Sequence, residues 1–365
     1  MILLNLRRVN LLTSERSRNK GLDILKLFCI LFIILLHTQA LKESFTINVV
    51  PICRFVVPCF FMITGFFYDD VVKRGNEVKQ IKKTLILIAL VNIVLILFNV
   101  IYLTYSGENV AEWIVSCFSK KNLLKLLVFN EDLINGHFGS DHIWYLNALI
   151  YVLIIAYILR KIKIFRVLFF LTPVLLLCGL VLEWFSPQII GTSYSDGERY
   201  YIYRNFLTVG IPYFCIGSLL SHCKIIKLKK FNFLILFASV FLLGFSFVEY
   251  KMELFCGLSS SGEFFILTPI YSVGIFVFFH NLFEGKELNI LGKIAAFLGE
   301  RYVVWIYLFH LPAMVLVEDI LQVFGFLFPN KIIVSLLTLA FSLIVAAITD
   351  YVLSLRRRKN CEITS

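Results

Sequence analysis

Lys26 and His37 stand eleven positions apart in GLDILKLFCILFIILLH, a stretch that is otherwise almost wholly apolar. An imidazole takes and returns a proton near neutral pH, the work of a general base. An ammonium is a compact point charge for an anion such as phosphate. At about 100° per residue, eleven positions close almost three helical turns, so both side chains share one stripe, ~16 Å apart along the axis. Asp23 sits one turn before Lys26 and can pair with it at i, i+3. Strongly polar side chains are costly in hydrocarbon, and those that persist there usually face a bundle interior and often mark a site. The others of this kind are Arg54, His142, Glu183, Arg204, Asn205 and His310. For Lys26 and His37 the structural alternative is a snorkelling lysine and a hydrogen-bonded histidine, and the residues alone leave both readings open.

Ten apolar stretches must position these groups: 22–40, 52–68, 84–104, 143–159, 167–185, 205–221, 231–249, 264–283, 302–320 and 332–354. The chain has 365 residues, 59% hydrophobic and 16% charged, with a mean hydropathy of +0.85. Those values exclude a water-soluble surface. A bilayer core ~30 Å thick needs ~20 apolar residues per helix. The expected fold is therefore all-α, a polytopic integral membrane protein of about ten transmembrane helices. A basic segment (1–21) precedes the membrane domain (22–354), and a short basic tail (355–365) follows it.

The net charge of +11 raises the question of a nucleic-acid partner, and the placement of the cations answers it. Of 35 lysines and arginines, 25 fall in alternate gaps between the stretches or in the two terminal segments. This is the positive-inside pattern, with both termini cytoplasmic and no nucleic acid required. On this topology His37 lies ~22 Å into the membrane, in its outer half, while Lys26 stays near the inner end. The first stretch carries Asp23 and Lys26 and no small-residue cleavage site, so it reads as a retained helix rather than a signal peptide. The outer loop 105–142 mixes apolar residues with three lysines, which predicts an interfacial helix. Nine scattered cysteines with no Cys-x-x-Cys predict neither a disulfide framework nor a metal site.

The first stretch resembles the opening helix of the membrane-bound acyltransferase-3 family, whose signature is a basic residue, ten residues, then His. RFVVPCFFMITGFF, from Arg54 to Phe67, is similar to that family's Arg, Val-Pro and aromatic run ending in Ser-Gly. HIWYLNAL (His142–Leu149), RNFLTVGIPYFCIG (Arg204–Gly217) and WIYLFHLP (Trp305–Pro312) follow in the family's order. The resemblance covers roughly residues 20 to 355 and departs from the pattern at three positions. Lys26 replaces the usual Arg and lacks its planar fork. Thr64 replaces Ser and keeps the hydroxyl. Val303 stands where Ser or Thr is common, which removes a hydroxyl beside Tyr307 and His310 and ranks His310 below His37.

The resemblance implies an O-acyltransferase of the bacterial cytoplasmic membrane that moves an acetyl group from acetyl-CoA to a hydroxyl of a cell-envelope carbohydrate. Its expected partners are acetyl-CoA, a carbohydrate acceptor and the lipid bilayer; acetyl-CoA is a substrate, and no bound cofactor or metal is expected. His37 is then either the general base or a carrier of the acyl group, with Arg54 steadying the oxyanion. Lys26, Lys82 and Lys83 attract the donor's phosphates. His142, Trp144 and Tyr145 either form an interfacial aromatic belt or stack on the acceptor sugar. Arg204 and Asn205 either bind substrate or seal helix ends, Glu183 pairs with Arg54 or Arg204, and Asp23, Tyr307 and His310 support the site. A glycan or lipid-linked sugar transporter, with no acyl transfer, is the rival reading of the same helices, interior charges and the Pro58 and Pro212 breaks.

Overall fold

The computed structural model describes residues 19–40, 50–134, 142–191, 199–223, 225–258, 261–283, 287–326 and 329–362. In order, the α-helices are α1 (Lys20–His37), α2 (Val50–Cys53), α3 (Val56–Lys73), α4 (Glu77–Ser106), α5 (Val110–Cys117), α6 (Lys120–Phe129), α7 (Trp144–Lys161), α8 (Val167–Trp184), α9 (Ser186–Ile190), α10 (Ile211–His222), α11 (Asn232–Phe255), α12 (Thr268–Leu282), α13 (Ile290–Arg301), α14 (Val303–Val323) and α15 (Lys331–Glu362). A π-turn (Phe206–Gly210) leads into α10, and no strand occurs among the described residues.

Each of the ten expected stretches carries a helix, and among the described residues seven helical segments are long and apolar enough to cross a membrane. The π-turn with α10, and α12, are shorter apolar helices, and α1 carries Lys20, Asp23 and Lys26. The loop 105–142 holds two helices rather than one, because Asn109 and Ser119 each cap a new start by accepting the Glu112 and Asn122 N–H. Residues 290–301, read as plain inner loop, form α13 behind an Asn289 cap. The last helix runs through the basic tail to Glu362. Positions 1–18 of the N-terminal segment, loop residues 135–141 and the final residues 363–365 lie outside the described residues.

The chain packs as two compact units, Met1–Ile47 with Phe283–Ser365, and Asn48–Leu282. In the first, α1 packs on α13 and α14, and α14 on α15. Asn19 starts α1 by accepting the Leu22 N–H at 3.0 Å. Gly299 of α13 rests on the Asp23 backbone, where any Cβ would overlap the Asp23 carbonyl. The buried Thr38 hydroxyl, at the end of α1, lies 2.6 Å from that of Ser335 on α15.

In the second unit α3 and α10 pack most closely. A Cβ at Gly65 would overlap the Phe214 carbonyl, and one at Gly217 the Met62 carbonyl. Small residues at such a crossing let backbones approach where lipid supplies no hydrophobic drive between helices.

Candidate functional site

Within the first unit, His37 at the end of α1 and His310 on α14 bring their imidazoles together, ring centroids 5.3 Å apart and planes 52° apart. His310 is 1% exposed. Its Nδ1 lies 2.7 Å from the Tyr307 carbonyl oxygen. A carbonyl only accepts, so Nδ1 carries the proton and the neutral ring keeps its lone pair on Nε2. Tyr307, one turn earlier, is buried with its ring 6.0 Å from that of His310. The arrangement is a tautomer-fixed imidazole beside a second, half-buried imidazole. Such a pair can accept a proton, relay it and return it.

At the other end of α1, Lys26 Nζ donates to Asp23 Oδ1 at 2.9 Å, with the carboxylate buried and the ammonium partly open. The pairing expected from spacing is present, and the Gly299 crossing holds the turn that carries it.

In the second unit two of the remaining candidates, Arg54 and Arg204, share one carboxylate, that of Glu263. Arg54, in the turn before α3, donates from Nη1 to Glu263 Oε2 at 2.7 Å and from Nη2 to the Ser261 carbonyl at 3.3 Å. Arg204 reaches the other oxygen, Oε1, at 3.5 Å, with its guanidinium carbon 4.2 Å from the Tyr200 ring centroid and 5.0 Å from that of Trp144. Glu183 does not form the expected salt bridge. Fully buried, it accepts from the Ser261 hydroxyl and from the backbone N–H groups of Glu263 (2.7 Å) and Phe264 (2.6 Å). Glu183 therefore shapes the loop that presents Glu263. Burial pushes the nearby Tyr203 phenol well up from its ordinary range, so it stays neutral there.

Asn205 is a cap: its side-chain oxygen accepts the Leu207 and Thr208 N–H, and its amide donates to the Tyr201 and Ile202 carbonyls. His142 and Trp144 are buried, and Tyr145 is half-buried with its ring 4.7 Å from Phe61. His142 and Trp144 are interior residues of the unit, while Tyr145 keeps partial exposure. Lys82 is exposed and Lys83 half-buried, both in the early turns of α4. Among the described residues no group of three or more His, Cys, Asp or Glu could hold a metal ion.

Sequence reasoning missed Glu263 because it lies one residue before the expected stretch 264–283, where a search of apolar runs does not look. An acidic residue directly abutting an apolar run was the available signal.

A family model described as an acyltransferase domain matches residues 19–351. No curated protein and no solved structure matches the chain.

Proposed function

Because the chain belongs to the acyltransferase-3 family, we propose that it is an O-acetyltransferase of the bacterial cytoplasmic membrane, moving acetyl from cytoplasmic acetyl-CoA to a hydroxyl of a cell-surface or lipid-linked carbohydrate. The observation that supports this most directly is the His37–His310 pair in a chain of apolar helices. Esterifying an alcohol needs a group that takes the hydroxyl proton as the oxygen attacks the thioester carbonyl. In one route His37 takes that proton, the oxyanion collapses, and the CoA sulfur leaves and is protonated. In the other, an imidazole nitrogen of His37 attacks the thioester carbonyl and takes the acetyl group as the CoA sulfur leaves and is protonated; the alcohol oxygen then attacks the acetyl carbonyl, the imidazole leaves, and the hydroxyl proton passes to it. Trapping of acetyl on His37 with donor alone separates the two routes.

Arg54 is proposed to steady the oxyanion, a role that rests on its place in the family pattern. Lys26, with Lys82 and Lys83, is proposed to draw the donor's phosphates.

The test is mass spectrometry of envelope glycans from cells with and without the gene, which should show loss of an acetyl mass increment and name the acceptor. A correctly inserted His37→Ala protein that kept full acetylation would refute the reading. Acetylation unchanged between the two cell types, with glycan export lost, would instead mark a transporter.

A further inference from the structure

The ends of α3, α7 and α10 and the start of α8, all within Asn48–Leu282, line an open cavity of about 470 Å³. Its walls carry Lys73, Arg160, Lys163, Arg166 and His222 against one carboxylate, Asp69. Asp69 is already engaged on both oxygens, by Arg160 on Oδ1 and by His222 Nε2 at 2.9 Å on Oδ2. The Arg160 guanidinium is also stacked, its carbon 4.5 Å from the Phe165 ring centroid and 5.3 Å from that of Tyr68. This leaves an ion-paired floor held in place, with Lys73, Lys163 and Arg166 as exposed cations around the rim.

Lys163 has φ +64°, in the left-handed region. It closes α7 with its N–H on the Arg160 carbonyl (3.0 Å) and the Ile164 N–H on the Leu159 carbonyl (2.9 Å). That helix ending ordinarily uses glycine. A lysine here places a cation at the rim where the backbone favours a residue without a side chain.

The surroundings distinguish a lipid from a soluble anion. Ile162, Ile164, Val167 and Phe170 are exposed and alternate with the rim cations, while Phe165 and Phe169 line the cavity. Basic and apolar side chains interleaved at helix ends suit the headgroup level of a bilayer. The cations also come from gaps that the charge pattern assigns to the cytoplasmic face, whose leaflet holds anionic lipids.

We propose that this cavity binds the phosphate headgroup of an anionic phospholipid. The full-length protein in neutral detergent, offered phosphatidylglycerol or phosphatidylcholine, is followed by native mass spectrometry and melting temperature. Wild type should retain phosphatidylglycerol preferentially and melt higher with it. The Lys163→Gln/Arg166→Gln protein, altered only at exposed side chains, should bind it about thirtyfold more weakly with an unchanged lipid-free melting point. Lys163→Gly, whose φ suits glycine, should keep the lipid-free melting point and lose part of the lipid-dependent rise. Equal retention of the two lipids by wild type, or undiminished retention of phosphatidylglycerol by the double variant, overturns the proposal. Displacement of phosphatidylglycerol by inorganic phosphate or coenzyme A at comparable concentration assigns the cavity to a soluble phosphate and also overturns it.

Discussion

The imidazoles of His37 and His310 lie with ring centroids 5.3 Å apart, and the Tyr307 carbonyl sets the His310 tautomer. The family pattern on its own ranks His310 second, since Val303 lacks the hydroxyl common in that turn. Packing of α1 against α14 gives it a direct relation to His37 instead.

His37→Gln should lower the rate of acetyl-CoA-dependent acceptor acetylation by about a hundredfold or more, since a positioned base contributes that much. His310→Asn keeps a donor for the Tyr307 carbonyl but loses Nε2, whereas His310→Gln keeps a polar group nearer Nε2. If His310 serves only to brace α14, the Asn protein should be fully active. The expected result is a fall in kcat for both, measured on protein whose melting temperature is unchanged.

Lys26→Arg should retain activity, while Lys26→Leu should raise the KM for acetyl-CoA. The leucine also removes the Lys26 ion pair from buried Asp23, a loss of about 1–3 kcal/mol in stability. Asp23→Leu/Lys26→Leu removes that cost and should keep the high KM. An unchanged KM in the double variant would take Lys26 out of donor binding.

Glu263→Gln should destabilise the protein by about 3 kcal/mol, because Arg54 and Arg204 both lose their shared carboxylate in a largely buried setting. Arg204→Met, which keeps apolar contact with Trp144 and Tyr200 and removes one cation, should cost less. Melting temperatures of the two variants side by side check the order.

Gly217→Ala and Gly65→Ala should each cost about 1–3 kcal/mol, since the new methyl meets a backbone carbonyl that cannot rotate away. Gly244→Ala on α11 meets nothing within 4 Å and should be neutral or up to about 1 kcal/mol stabilising. Equal melting temperatures for all three would show that the α3–α10 crossing is looser than described.

By itself the sequence determined the helical class, the membrane setting and the stripe that carries Asp23, Lys26 and His37, because hydropathy and the helical repeat are local properties. For Asn205 the sequence leaves substrate binding and helix-end sealing both open, and the structure places its side chain on the Leu207 and Thr208 N–H. Tertiary structure alone decided that His310 faces His37, that Glu263 rather than Glu183 binds both arginines, and that Asp69, Arg160 and His222 share a cavity. Arg54 and Glu263 are 209 positions apart, and no periodicity within a helix encodes which carboxylate a distant guanidinium meets. Asp69, Arg160, His222 and Glu263 each fall just outside an expected apolar stretch. Helix ends are where polar groups escape hydrocarbon, and which ends meet depends on how closely glycine-bearing helices cross.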